Sequence, residues 1–112
     1  MREDRVLLEH ILLAIARIEA YSADGEEAFF TDTRTQDAII RNLEIIGEAT
    51  KGLSPDLRGR HEQIPWKQVA GMRDFLIHVY FGVNLERVWQ TVQTDIRPLR
   101  DAVESELTGS DE

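Results

Sequence analysis

The sequence predicts an all-α fold, an antiparallel bundle of four to five helices. Two observations carry that expectation. Apolar residues recur three and four apart through four long stretches, and N-cap and helix-initiating proline signals fall between them. No stretch alternates with the period of two that a half-buried strand requires.

The first helix is expected from about Arg2 to Tyr21. Leu7, Ile11, Ala14, Ile18 and Tyr21 form its stripe, and Leu8, Leu12 and Ile15 widen the face it can bury. The turn residues Ser22 to Gly25 end it. Glu26 to Phe30 follows as a short turn with Phe29 or Phe30 packed inward. Thr33 and Gln36 fit a T-x-x-Q capping box ahead of a long helix over about Arg34 to Lys51. Ile39, Ile40, Leu43, Ile46 and Gly47 mark its buried side, and Gly52 stops it. Arg41, Glu44 and Glu48 read as solvated or locally paired.

Ser54-Pro55-Asp56 is an N-cap with proline at N1, so a short helix is expected over Pro55 to Arg60. The central helix follows over Ile64 to Tyr80, with Pro65 at its first position and a stripe of Trp66, Val69, Ala70, Leu76, Ile77 and Tyr80. Asn84 caps the last helix. Leu85, Val88, Trp89, Val92, Ile96, Leu99 and Val103 carry it through about Glu106, with a kink at Pro98. The chain thus divides into a helical domain over 1–107 and an acidic tail over 108–112. Gly47 and Gly71 are small residues on helix surfaces and candidate points of subunit contact.

At 112 residues the chain fits one domain with a modest core. No apolar run approaches the ~18 residues needed to span a bilayer. The acidic N-terminus does not read as a secretory signal, and no cysteine is present for disulfides or thiolate metal sites. A cytoplasmic location without membrane contact is expected. The formal net charge of −8 opposes non-specific nucleic-acid binding by the whole surface. The charge is uneven: Lys51, Arg58, Arg60, Lys67 and Arg73 cluster along the chain against only Asp56 and Glu62.

The central helix holds the residues with chemical potential. Arg73 sits within its stripe, and an inward guanidinium must be paired, must snorkel or must bind something. Asp74 and His78 are four apart, where a carboxylate can hold an imidazole in one tautomer. At ~100° per residue, Arg73 and His78 lie roughly 140° apart on a straight helix, so a second copy of the helix is one way to bring them onto one ligand. The histidines stand in separate segments, and no metal-binding motif, phosphate loop or serine-nucleophile motif is present. No metal and no cofactor are expected. Arg73, Asp74 and His78 suit metal-free RNA cleavage, in which the 2′-hydroxyl is the nucleophile, His78 moves a proton and Arg73 stabilises the phosphate. The same residues also fit a purely structural Arg–Asp pair beside an edge histidine.

The segment Arg73–Tyr80, RDFLIHVY, resembles the R-x4-H-x-Y signature of the HepT toxins of the HEPN superfamily. The resemblance extends over TQDAIIRNLEIIGEATKGLSPDLR and IPWKQVAGMRDFLIHVYFGVNLERVWQTV. It implies an all-α HEPN fold, a homodimer whose motifs meet at a cleft, and metal-independent ribonuclease activity on RNA, with tRNA among the candidates. Arg73 and His78 would be catalytic, supported by Asp74, which stands where the superfamily often has Asn. It further implies a partner, a minimal nucleotidyltransferase (MNT) antitoxin that transfers AMP to the motif tyrosine, here Tyr80. The alternative is a non-catalytic helical module that binds a nucleotide or its nucleotidyltransferase partner.

Overall fold

The computed structural model describes residues 2–78 and 84–109, with the side chains of Arg2 and of residues 73–78 outside the description. Among the described residues all regular secondary structure is helical, with no strand. The helices are α1 (Arg2–Tyr21), α2 (Glu26–Thr31), α3 (Thr33–Lys51), α4 (Pro55–Arg60), α5 (Trp66–His78), α6 (Leu85–Thr94) and α7 (Ile96–Gly109). α1, α3, α5 and the α6–α7 rod are the four long members expected from the sequence. None of the described helices is long and apolar enough to cross a membrane.

α1 and α3 pack side by side, and their ends are pinned by a buried carboxylate. Asp4, 5% exposed near the start of α1, accepts from Ser54 N at 2.9 Å and from Ser54 Oγ at 2.6 Å, just past the end of α3. That pairing of one start with one end makes the two helices antiparallel. Ser54 Oγ also accepts from Leu57 N, so one hydroxyl caps α4 as expected and ties it to α1. Gly52 lets the helices close: a Cβ there would lie 2.8 Å from Leu7 Cδ1. α7 returns along α1, with Arg100 Nη1 2.8 Å from Glu19 Oε2.

The buried apolar set runs through every helix, including Ile11, Ile15, Ile18, Ile39, Leu43, Ile46, Leu57 and Leu99. Phe29 is fully buried and carries α2 onto the last rod, its ring 5.1 Å from that of Trp89. Tyr21, expected on the α1 stripe, is instead 42% exposed, because the α1 stripe drifts off the core face at its last turn.

Three boundaries differ from the sequence reading. The N-cap of α3 is Asp32, whose carboxylate accepts from Arg34 N and Thr35 Oγ1 and is held below the usual carboxylate range, first by the Thr35 bond and then by Arg34. Thr33 is the first residue of the helix, and Gln36 reaches back to the Phe29 carbonyl instead. Pro65 lies one residue before α5, where its carbonyl accepts from Val69 N. The last helix is divided at Asp95. Pro98 has no N–H to give Thr94 and its ring crowds that carbonyl, so the disruption falls three residues before the proline itself.

The basic zone is largely structural. Arg58 Nη2 donates to the carbonyls of Thr50 and Lys51 and closes the end of α3. Arg60 makes a two-pronged contact with Glu106 of α7, at 2.8 and 3.0 Å, and His61 Nε2 lies 2.8 Å from the same carboxylate.

Two outcomes follow from these ties. Asp4→Ala leaves the Ser54 amide without its partner and is expected to cost about 1–3 kcal/mol, read as a lower urea midpoint at unchanged slope. Glu106 is lowered from 4.5 to about 2, first by the Arg60 hydrogen bond and then by His61. Its folded pKa lies below its unfolded one, so its contribution is complete above pH 4.5 and is lost as pH falls toward 2. Glu106→Gln is therefore expected to destabilise by about 1–2 kcal/mol at pH 7, after solvent screening, and by progressively less between pH 4.5 and 2.

Candidate functional site

α5 positions the predicted residues, and Trp66 positions α5. The indole is 8% exposed, and its Nε1–H donates to the carbonyls of Arg58 (3.1 Å) and His61 (2.9 Å) at the end of α4. Val69, one turn on, is buried with it as α5 lies along α3. These contacts set the rotation of the helix about its own axis.

The backbone of α5 is one unbroken helix through His78, so Arg73, Asp74 and His78 share a single rigid element. Their side chains lie outside the description, and Tyr80 lies outside the described residues. The register still follows from the fixed rotation. Arg73 is seven residues from Trp66 and four from Val69, which places it in line with the buried edge of the helix. His78 is seven residues beyond Gly71, in line with a different face. A Cβ added to Gly71 would meet nothing within 4 Å, so α5 is not closely packed there. Gly47 is buried on α3.

α5 forms one wall of a groove of about 370 Å³ that it shares with α6 and α7, with Leu43 of α3 also lining it. Its apolar lining comes from Val69, Met72, Val88, Ile96 and Leu99. Its polar lining comes from Gln68 and Gly71 on α5, and from Arg87, Thr91 and Asp95 opposite. The last three are spaced four apart, on the border between the buried stripe of α6 and its solvent face. Sequence reasoning passed over them, although that i, i+4, i+8 run was the available signal.

The fold defines an all-α protein of the HEPN type. The family model "Ribonuclease HepT-like" matches residues 11–106. The chain belongs to the HepT-like ribonuclease family. It is 48% identical over 105 residues to a Methanocaldococcus jannaschii protein named "Gamma-glutamylcyclotransferase and putative RNase", covering 92% of this chain and 47% of that one, so it spans about half that relative's length. It is 45% identical over 104 residues to the Thermococcus cleftensis protein named "Probable ribonuclease HepT", covering 92% of this chain and 94% of that one. No solved structure matches the chain.

Proposed function

We propose that the protein is the ribonuclease toxin of a HepT/MNT pair, with residues 1–107 as its catalytic domain, cutting RNA without a metal at a cleft between two subunits. The observation that carries this reading is the placement of Arg73 and His78 on one unbroken helix, in a chain of the HepT-like ribonuclease family.

The chemistry uses the substrate's own nucleophile. The 2′-hydroxyl attacks the adjacent phosphorus, the bond to the 5′-oxygen breaks, and a 2′,3′-cyclic phosphate and a 5′-hydroxyl result. One proton leaves the 2′-oxygen and one is delivered to the 5′-oxygen. Imidazole suits both transfers, because its ordinary pKa is near neutrality. One ring cannot be acid and base in the same step, so two copies of His78 divide the work. Arg73 holds the phosphate and offsets the charge that builds on its oxygens, and Asp74, four residues before His78, orients the ring.

The register supports a two-subunit site. Arg73 and His78 are about 140° apart around α5, too far to converge on one phosphate from one face. At Gly71, in line with His78, an added Cβ would meet nothing within 4 Å, so α5 is not closely packed along that line, which borders the groove shared with α6 and α7. Tyr80 follows the motif, and transfer of AMP to it by a nucleotidyltransferase antitoxin would add bulk and negative charge where an RNA phosphate must sit.

Purified protein without its antitoxin is expected to cut RNA in EDTA and to leave cyclic phosphate ends. His78→Ala should lower the rate by about 10²-fold or more, as should Arg73→Ala. Cleavage that starts only on addition of Mg²⁺, or that survives His78→Ala, would contradict the reading.

A further inference from the structure

Resting on the ribonuclease reading, we propose that the groove between α5 and the α6–α7 rod binds a guanine base of the RNA, with Asp95 reading its Watson–Crick edge. The volume of about 370 Å³ lies within the range of small-ligand pockets, and the aliphatic part of the lining suits a planar base. The groove also lies on the helix that carries the motif. Met72 on its wall precedes His78 by six residues, about 9 Å along the axis. A base seated there belongs to a nucleotide close to the bond being cut.

The hydrogen-bonding capacity of the rim selects the base. Thr91 Oγ1 gives its proton to the Arg87 carbonyl at 2.9 Å, so it offers a ligand only lone pairs. Thr94 Oγ1 lies 2.8 Å from the Gln90 carbonyl and 3.0 Å from Asp95 Oδ1, and its one proton serves one of them at a time, so the Asp95 carboxylate at the break between α6 and α7 keeps acceptor capacity, with Oδ2 facing no described donor. The Thr91–Asp95 edge of the rim is therefore rich in acceptors. Guanine alone among the RNA bases presents two adjacent donors, N1–H and the exocyclic amino group, to a single carboxylate. Adenine, cytosine and uracil each offer one donor there beside acceptors that Asp95 would repel. Gln68, on the opposite wall, has an amide N–H within the same groove for guanine O6.

The test is calorimetric titration of the full-length protein with 5′-GMP and with 5′-AMP, alongside end-sequencing of a random RNA pool after cleavage. GMP should bind about tenfold tighter than AMP, and Asp95→Asn should bring the two within about twofold, since an amide cannot accept from both donors. Thr91→Val probes the same edge should Asp95→Asn fail to fold, and it should narrow the preference in the same direction. Cut ends should carry guanine at one fixed position. Equal affinity for the two nucleotides, no binding of GMP, or a preference unchanged in both variants overturns the proposal. RNA cleavage with no base preference and no GMP binding defeats the guanine site and leaves the ribonuclease reading standing. Selective, Asp95-dependent GMP binding by a protein that cuts no RNA does the reverse.

Discussion

The indole of Trp66 is the constraint on which the rest of the structure depends. Its ring is buried against the core, and its one N–H is shared between two carbonyls at the end of α4. α4 is itself fixed at both ends, by Ser54 and Asp4 at its start and by the contacts of Arg60 and His61 with Glu106 after it. The chain of contacts thus runs from α1 and α7, through α4, to the first residue of α5. Burial of Trp66 and Val69 sets which face of α5 meets the core, and the directional indole hydrogen bond at the first turn sharpens that setting. The azimuth of every later residue of α5 follows from that turn, including positions 73 and 78.

A fixed azimuth matters because the motif does not lie on one face. Positions 73 and 78 stand about 140° apart around α5, the first in line with Trp66 and Val69 and the second in line with Gly71. The proposed subunit cleft resolves this by adding a second copy of the helix, and it would work only if both copies hold the same rotation. The groove beside α5 depends on the same restraint, since Val69 and Met72 enter its wall only at this azimuth.

Much of the fold was legible because the physics that sets it is local. The cap at Ser54, the proline at N1 of α4, the Asn84 cap and most of the apolar stripes of α1, α3 and the last two helices act within one or two turns of helix and appear where the spacing placed them, Tyr21 excepted. The errors came where two local signals competed. Asp32 and Thr33 are both good caps, and the aspartate prevailed because its carboxylate accepts from two donors at once. Pro98 announced a disruption, but the break fell at Asp95, since it is the carbonyl four residues back that loses its partner. Long-range ties were not legible at all: nothing in the sequence pairs Asp4 with Ser54, or Arg60 with Glu106, across some fifty residues. Those ties consume Arg58 and Arg60, which charge pattern alone had left available to an RNA. The motif itself was visible in Arg73 to Tyr80, whereas Arg87, Thr91 and Asp95 became candidates only when α6 was seen to face α5 across a groove.

In the proposed shared site, each cut requires an imidazole from both subunits. Mixing wild-type protein with His78→Ala in varying proportion, under conditions where subunits exchange, tests it most directly. If both histidines are needed, the cleavage rate falls as the square of the wild-type fraction. A rate that falls in direct proportion to the wild-type fraction would mean that each chain works alone, and would contradict the shared site.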